Sequence, residues 1–113
     1  MAALYEDRFV EIHSDHLLIK RYYFPFGQKK KVDLGSDVSF RTDLELGLDF
    51  FEKKGWGMAT NNIWWAQDMC REFSGRHTSI VVTVGQQRFR KGFSVEDHVA
   101  IKLLEELVPK TPL

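Results

Sequence analysis

The sequence has one cysteine, three prolines, no excess of charge of either sign and no long apolar run. A single cysteine cannot form a disulfide within the chain, so a cytoplasmic location is expected. Sixteen basic and sixteen acidic residues give a formal net charge of zero, which argues against a general nucleic-acid-binding protein. No apolar run approaches the ~20 residues that span a bilayer, and the N-terminus lacks the basic and apolar regions of a signal peptide.

The composition is that of a globular protein. The chain has 113 residues, of which 43% are hydrophobic and 13% aromatic. At this length, folding buries roughly two-thirds of the surface of the unfolded chain, which is enough for a core without a metal or a disulfide. These values predict one domain over residues 1–113.

Two pairs of alternating segments predict β-hairpins. In the first, residues 8–13 place Val10 and Ile12 on one face, and residues 16–24 follow after a short turn. In the second, the β-branched run of residues 78–84 turns back into residues 88–93. Such alternation is typical of half-buried strands.

The middle of the chain is harder to interpret. From Val38 the even positions are mostly apolar, and this period of two favours a strand. Residues 43–54 are also compatible with a helix that begins after Thr42 as its N-cap and ends before Gly55. Short tryptophan-containing strands are expected at residues 55–58 and 63–66.

An amphipathic helix is predicted over about residues 95–108. Ser94 is in the position of an N-cap, with Asp97 three residues later, and Pro109 ends the helix. We expect Leu103 and Leu104 to cover one end of the strands. The predicted fold is therefore mainly β, a barrel of about seven antiparallel strands closed by a C-terminal helix.

Three segments resemble a known group of proteins. They are residues 18–27, with Tyr22-Tyr23-Phe24-Pro25, residues 63–68, with Trp64-Trp65, and residues 90–97, with Gly92-Phe93. The chain resembles small uncharacterised pleckstrin-homology-like (PH-like) domain proteins, mainly bacterial. This resemblance implies a PH-like barrel whose helix closes one end, and it implies no catalytic residues.

A cluster of basic residues is the first candidate site. Five positive charges fall within twelve residues without an acidic residue among them: Lys20, Arg21, Lys29, Lys30 and Lys31. Several converging cations are what an anionic lipid head group or an acidic protein requires. The alternative is a solvated loop. If the charge lies elsewhere, the next candidates are Arg71, Arg76, Arg88, Arg90 and Lys91.

The aromatic residues form a second candidate site. Tyr22, Trp56, Trp64 and Trp65 are candidates for a protein interface. Because neighbouring strand residues face opposite sides, one tyrosine of Tyr22-Tyr23 and one tryptophan of Trp64-Trp65 should point outward. This pattern supports an alternative function, a self-assembling or protein-interaction subunit that uses these strands and a barrel edge. A homo-oligomer is therefore left open.

Enzyme chemistry has little support in the sequence. His13 and His16 lie across a predicted turn without a third metal ligand at a recognisable spacing. Cys70 and His77 lie near Asp68 in the sequence, but sequence proximity does not establish catalytic geometry. We expect Cys70 to have no structural or chemical role. We expect no metal, no cofactor and no enzymatic activity. A ligand pocket lined by Trp56, Trp65 and His77 is the least favoured hypothesis.

Overall fold

The computed structural model of the protein describes residues 3–23, 26–47, 56–58, 62–68 and 78–111. Within these ranges lie nine strands and two helices. In chain order they are β1 (Tyr5–Glu6), β2 (Val10–Ile12), β3 (His16–Tyr23), β4 (Gln28–Asp33), β5 (Val38–Thr42), α1 (Asp43–Leu46), β6 (Gly57–Met58), β7 (Ile63–Trp65), β8 (Thr78–Val84), β9 (Arg90–Val95) and α2 (Val99–Leu107).

The strands form two sheets. The first is an antiparallel sheet in the order β1-β2-β3-β4, and the second has the order β5-β8-β9-β7-β6. Both predicted hairpins are confirmed, since β2 pairs with β3 and β8 pairs with β9 in antiparallel register. In the second sheet β7 runs parallel to β9.

The mainly-β fold with a C-terminal helix is confirmed, whereas the finer prediction needs correction. The strands that the structure describes form two separate sheets and no closed barrel. They number nine rather than about seven, and one pair is parallel rather than antiparallel. β8 pairs with one edge of β9, and β7 pairs with the other edge in the same direction as β9.

The core has two parts, one on each face of the second sheet. The larger cluster contains inward-facing residues of both sheets together with Ala100, Leu104 and Val108 from the C-terminal region. The smaller cluster contains Ile63, Trp65 and Val81 on the opposite face of the second sheet. The second sheet is therefore buried on both faces, which explains why β8 has no simple alternation of apolar and polar residues.

The segment after Val38 combines both interpretations of the sequence. The strand ends at Thr42. The prediction that the strand continues to residue 50 is wrong for Asp43–Leu46, which form a single helical turn. Thr42 Oγ1 accepts a hydrogen bond from Glu45 N–H, and the Glu45 carboxylate accepts one from Thr42 N–H, which forms a capping box. Gly47, with φ of 66°, ends the turn in the left-handed region. Residues 48–55, including the predicted stop at Gly55, lie outside the described residues.

The C-terminal helix is shorter than predicted. Ser94 does not cap it, because β9 continues to Val95 and the helix begins at Val99. At the start of the helix, the Asp97 carboxylate instead accepts a hydrogen bond from Val99 N–H at 2.9 Å. The sequence places Ser94 and Asp97 three residues apart, but Ser94 is buried and belongs to the strand. Neither of the helices described here is long and apolar enough to cross a membrane.

Glu45 ties α1 to the C-terminal segment. Its carboxylate lies 2.7 Å from Lys110 Nζ and 2.9 Å from the Arg41 guanidinium. The hydrogen bond from Lys110, together with those from Thr42 and Arg41, lowers the pKa of Glu45 to about 2. A carboxyl with a lowered pKa stabilises the fold above its unfolded-state pKa, and this stability is lost as the pH falls towards the folded-state pKa.

We expect Glu45→Gln to lower the free energy of unfolding by about 1–2 kcal/mol at neutral pH, a value reduced for solvent screening. The difference from wild type should shrink between about pH 5 and pH 2, as measured by urea unfolding at several pH values. Glu105→Gln is the matched control, because Glu105 lies 4.0 Å from the same lysine and is more exposed. A pH-independent difference, or an equal effect of Glu105→Gln, would contradict this account.

Candidate functional site

The five residues of the basic cluster do not converge. Lys20 Nζ lies 2.7 Å from the Glu6 carboxylate and also donates to the Asp7 carbonyl. Lys29 lies 3.3 Å from Glu11, and Lys31 lies 3.6 Å from Asp33. These three lysines thus have carboxylate partners. Arg21 is exposed on a bulge, with φ of 54°.

Lys30 differs from its two neighbours because it lies on the other face of β4. In the first sheet, Lys30 is opposite Ile19, and Val32 is opposite Leu17. Ile19, Val32 and Leu17 all belong to the core, so the Lys30 side chain lies on the core-facing side of the strand. Lys29 and Lys31 therefore point away from the core, since strand residues alternate between faces. The sequence places the three lysines in one cluster, whereas the structure divides them between the two faces of a strand.

The second sheet supplies a matching inward-facing lysine. Along β9, Lys91 shares its face with Phe93 and Val95, which are both core residues. Lys91 is only 6% exposed, and its ammonium donates to Gln87 Oε1 at 2.5 Å and to the Phe89 carbonyl at 3.3 Å. Burial, and secondarily the charge of Lys30, lower the pKa of Lys91.

Lys30 and Lys91 line a cavity of about 450 Å³, which we call the inter-sheet groove. Among the residues that the structure describes, its lining contains aromatic and apolar residues, three cations and no acidic residue. The residues that line it are Tyr22, Tyr23, Lys30, Met58, Trp64, Gln87, Arg88, Phe89 and Lys91. An apolar cavity with a few convergent polar groups is the usual form of a ligand-binding site.

A bulge in β3 directs Tyr22 into this groove. The register of β3 against β4 shifts between Ile19 and Tyr23, so that Tyr22 rather than Arg21 follows Leu17 and Ile19 on the inward face. Bulges commonly redirect a side chain in this way. Tyr23 is the exposed member of the pair, as predicted for one of the two tyrosines, although its ring also lines the groove and lies 5.9 Å from Lys30 Nζ.

Two tryptophans hold the end of β3 in place. The indole N–H groups of Trp64 and Trp56 both donate to the Tyr22 carbonyl, at 2.7 Å and 3.2 Å. The Trp64 ring also lies 6.2 Å from the Tyr22 ring, between centroids. These contacts give both tryptophans a structural role in addition to any role at an interface, and Trp64 also forms part of the wall of the groove.

Trp65 lies elsewhere. As predicted, Trp64 and Trp65 face opposite sides, but Trp65 is fully buried in the smaller core cluster rather than exposed. Its burial means that no partner reaches its ring without unfolding of this face. The structure does not bring Trp56 and Trp65 together in a pocket. His77, the third residue of that predicted pocket, lies outside the described residues.

The other candidate chemistry is not supported by the described residues. The rings of His13 and His16 stack at 4.3 Å between centroids, and their neighbours Glu11 and Asp15 hydrogen-bond to them. No group of three histidine, cysteine, aspartate or glutamate side chains suited to a metal occurs in the part of the chain that the structure describes. Cys70 lies outside it, and Asp68 accepts a hydrogen bond from Ser94 at 2.6 Å.

Gln87 and Phe89 were not predicted as site residues, and Arg88 and Lys91 were named only as second choices. A sequence signal for the lysines does exist, because Lys91 is in phase with Phe93 and Val95, and Lys30 is in phase with Val32. A charged residue in the apolar phase of a strand indicates a site. The groove itself requires knowledge of how the two sheets face each other.

Comparisons with known proteins add no functional information to this geometry. No protein-family model, no curated protein and no solved structure matches the chain.

Proposed function

We propose that this protein is a non-enzymatic binding module with a PH-like fold, and that its inter-sheet groove binds an anionic partner. The PH-like arrangement is supported by the four-stranded first sheet, the second sheet and the C-terminal helix, which share one core. The anionic partner is supported by the positive charge of the groove, whose described lining residues include no acid. This proposal moves the expected contact from the outward lysines to Lys30, Arg88 and Lys91.

The placement of Lys30 and Lys91 carries this proposal. Lys91 is buried, and a buried ammonium without a counter-charge is costly. The charge of Lys30, which is only partly buried, adds to this cost. Among the described residues, neither lysine has a carboxylate within ion-pair distance, although Lys20, Lys29 and Lys31 each have one. An arrangement that opposes stability is expected where it serves binding.

We expect the double variant Lys30→Met, Lys91→Met to be more stable than wild type by about 1–2 kcal/mol, because apolar side chains replace unpaired inward charges. The same variant should lose anion binding. Thermal unfolding in sodium phosphate and in sodium chloride of equal ionic strength measures both effects. At a phosphate concentration near ten times Kd, the melting temperature of wild type should rise by about 5 °C more than that of the variant.

The matched control is Lys29→Met, Lys31→Met, which removes two charges from the same strand on its outward face. It should retain the phosphate response of wild type. Phosphate also stabilises proteins by exclusion from their surface, so the comparison between variants measures the site. Equal phosphate responses in wild type and both variants would contradict anion binding in the groove, and loss of stability in Lys30→Met, Lys91→Met would assign the lysines a structural role.

A second function, self-association through a sheet edge, is supported by the position of β4. This strand is at the edge of the first sheet, and Phe26 before it is 83% exposed. Lys29 and Lys31 count against this function, because charged side chains on an edge strand oppose such pairing. Light scattering over a wide range of protein concentration tests it: a dimer that Phe26→Ser abolishes would support self-association, and a monomer throughout would exclude it.

A further inference from the structure

We infer that the ligand of the inter-sheet groove is a small amphiphilic carboxylate, with its anionic head between Lys30 and Lys91 and its apolar tail along the aromatic wall. This inference rests on the proposed anion-binding function and names the class of ligand. It follows from how the lining residues are distributed, from the volume of the groove, and from the depth at which Lys91 lies.

The groove has two chemically different parts. Lys30, Arg88 and Lys91 supply positive charge. Trp64, Met58 and Phe89 supply an apolar surface, to which the Tyr22 ring adds. An inorganic anion would leave that apolar surface in contact with water. A ligand with a hydrocarbon tail covers it, and each buried methylene contributes about 0.8 kcal/mol to binding.

The depth of Lys91 favours a single small molecule over a membrane surface. Lys91 is 6% exposed, so the head groups of an intact bilayer do not reach its ammonium. The volume of about 450 Å³ lies within the range of small-ligand sites. A ligand that enters the groove is able to contact Lys91, whereas a flat anionic surface contacts the exposed outward lysines.

The partners of Lys91 leave room for a carboxylate. Its ammonium donates to two uncharged oxygens, Gln87 Oε1 and the Phe89 carbonyl, and a third N–H remains, because an ammonium has three donors. A carboxylate accepts this third bond and supplies the missing negative charge. Gln87 is exposed in the turn between β8 and β9, so its side chain is also free to be displaced.

The test compares three probes that separate head from tail: octanoate, acetate and octan-1-ol. Titration calorimetry gives Kd, and tryptophan fluorescence reports on Trp64 in the groove wall. We expect octanoate to bind at least tenfold more tightly than acetate or octan-1-ol. Along the series from butanoate to octanoate, affinity should rise about fourfold per methylene until the groove is filled.

Two variants assign the parts of the ligand to the parts of the groove. Lys91→Met should weaken octanoate binding at least tenfold and leave octan-1-ol binding unchanged. Phe89→Ala, at an exposed position of the lining, should flatten the dependence on chain length and preserve the phosphate response. Lys31→Met, on the outward face, should change neither the affinity for octanoate nor its dependence on chain length, which makes it the matched control.

The outcomes separate this inference from the proposed function. If phosphate binds in the groove but octanoate binds no more tightly than acetate, the anion site stands and the amphiphile is wrong. If octanoate and octan-1-ol bind alike, the carboxylate contact is wrong. If neither phosphate nor octanoate binds, both proposals fail. Sedimentation with phosphatidylcholine vesicles containing phosphatidylserine, without octanoate binding, would make a membrane surface the target and overturn the inference.

Discussion

Replacing Leu104 with alanine is expected to lower the free energy of unfolding by about 2–5 kcal/mol. Leu104 is 1% exposed and belongs to the main core cluster with Ala100 of the same helix and Val108, which follows the end of α2. The loss combines the transfer free energy of the missing methyl groups with the cavity that they leave. Urea unfolding at neutral pH measures it, and Leu104→Val provides a milder variant if the alanine variant does not fold.

The neighbouring position distinguishes between two orientations of the helix. The sequence predicts that Leu103 and Leu104 both cover the end of the strands, whereas Leu103 is only partly buried and packs at the margin of the cluster. We therefore expect Leu103→Ala to cost about 1 kcal/mol. Val99, at 56% exposure, should tolerate alanine with almost no change. A greater loss for Leu103→Ala than for Leu104→Ala would mean that α2 is rotated by about one residue, or ~100°.

The elements of this protein were predictable where one local signal dominated. The β8–β9 hairpin follows from a β-branched run and a turn, and both are local features. The start of α2 was missed because Ser94 fits two roles, an N-cap and a buried strand residue. Its hydroxyl donates to Asp68, which is twenty-six residues away in sequence. The competition between a local cap and a distant hydrogen bond cannot be resolved from spacing alone.

The candidate site was predictable only in part. Charge density drew attention to five residues near β4, yet Lys30 alone of these lines the groove. The alternation of a strand turns neighbouring lysines to opposite faces, and the choice of face depends on register with β3. Lys91 belongs to the other sheet, sixty-one positions along the chain from Lys30. Their proximity is a property of the tertiary fold, so composition and spacing do not reveal it.

The second large effect is expected at Gly92, which lies beside the ring of Trp65. In the parallel pairing of β7 with β9, Trp65 is opposite Gly92. A Cβ atom at Gly92 would lie 2.5 Å from Cζ3 and 2.7 Å from Cδ2 of Trp65. Trp65 is fully buried against Ile63 and Val81, so its ring has little room to move away. Glycine is required here for close approach rather than for an unusual φ.

We expect Gly92→Ala to lower the free energy of unfolding by about 3 kcal/mol, near the upper end for overpacking of a core. Gly35→Ala is the matched control: its Cβ would meet only the Asp37 carboxylate at 3.3 Å in an exposed turn, and the change should be small. Combining Gly92→Ala with Trp65→Leu tests the contact directly. Because the smaller side chain makes room for the methyl group, the double variant should lose less than the sum of the two single variants.

The same variant connects the fold to the groove. The pairing that places Trp65 opposite Gly92 also places Trp64 opposite Lys91, so the register of β7 positions the apolar and cationic parts of the site together. If Gly92→Ala shifts this register, the folded fraction of the variant should bind octanoate more weakly than wild type, in addition to its lower stability. Unchanged octanoate affinity with reduced stability would mean that the strand relaxes locally. Additive losses in the double variant would mean that the methyl group and the indole ring do not meet.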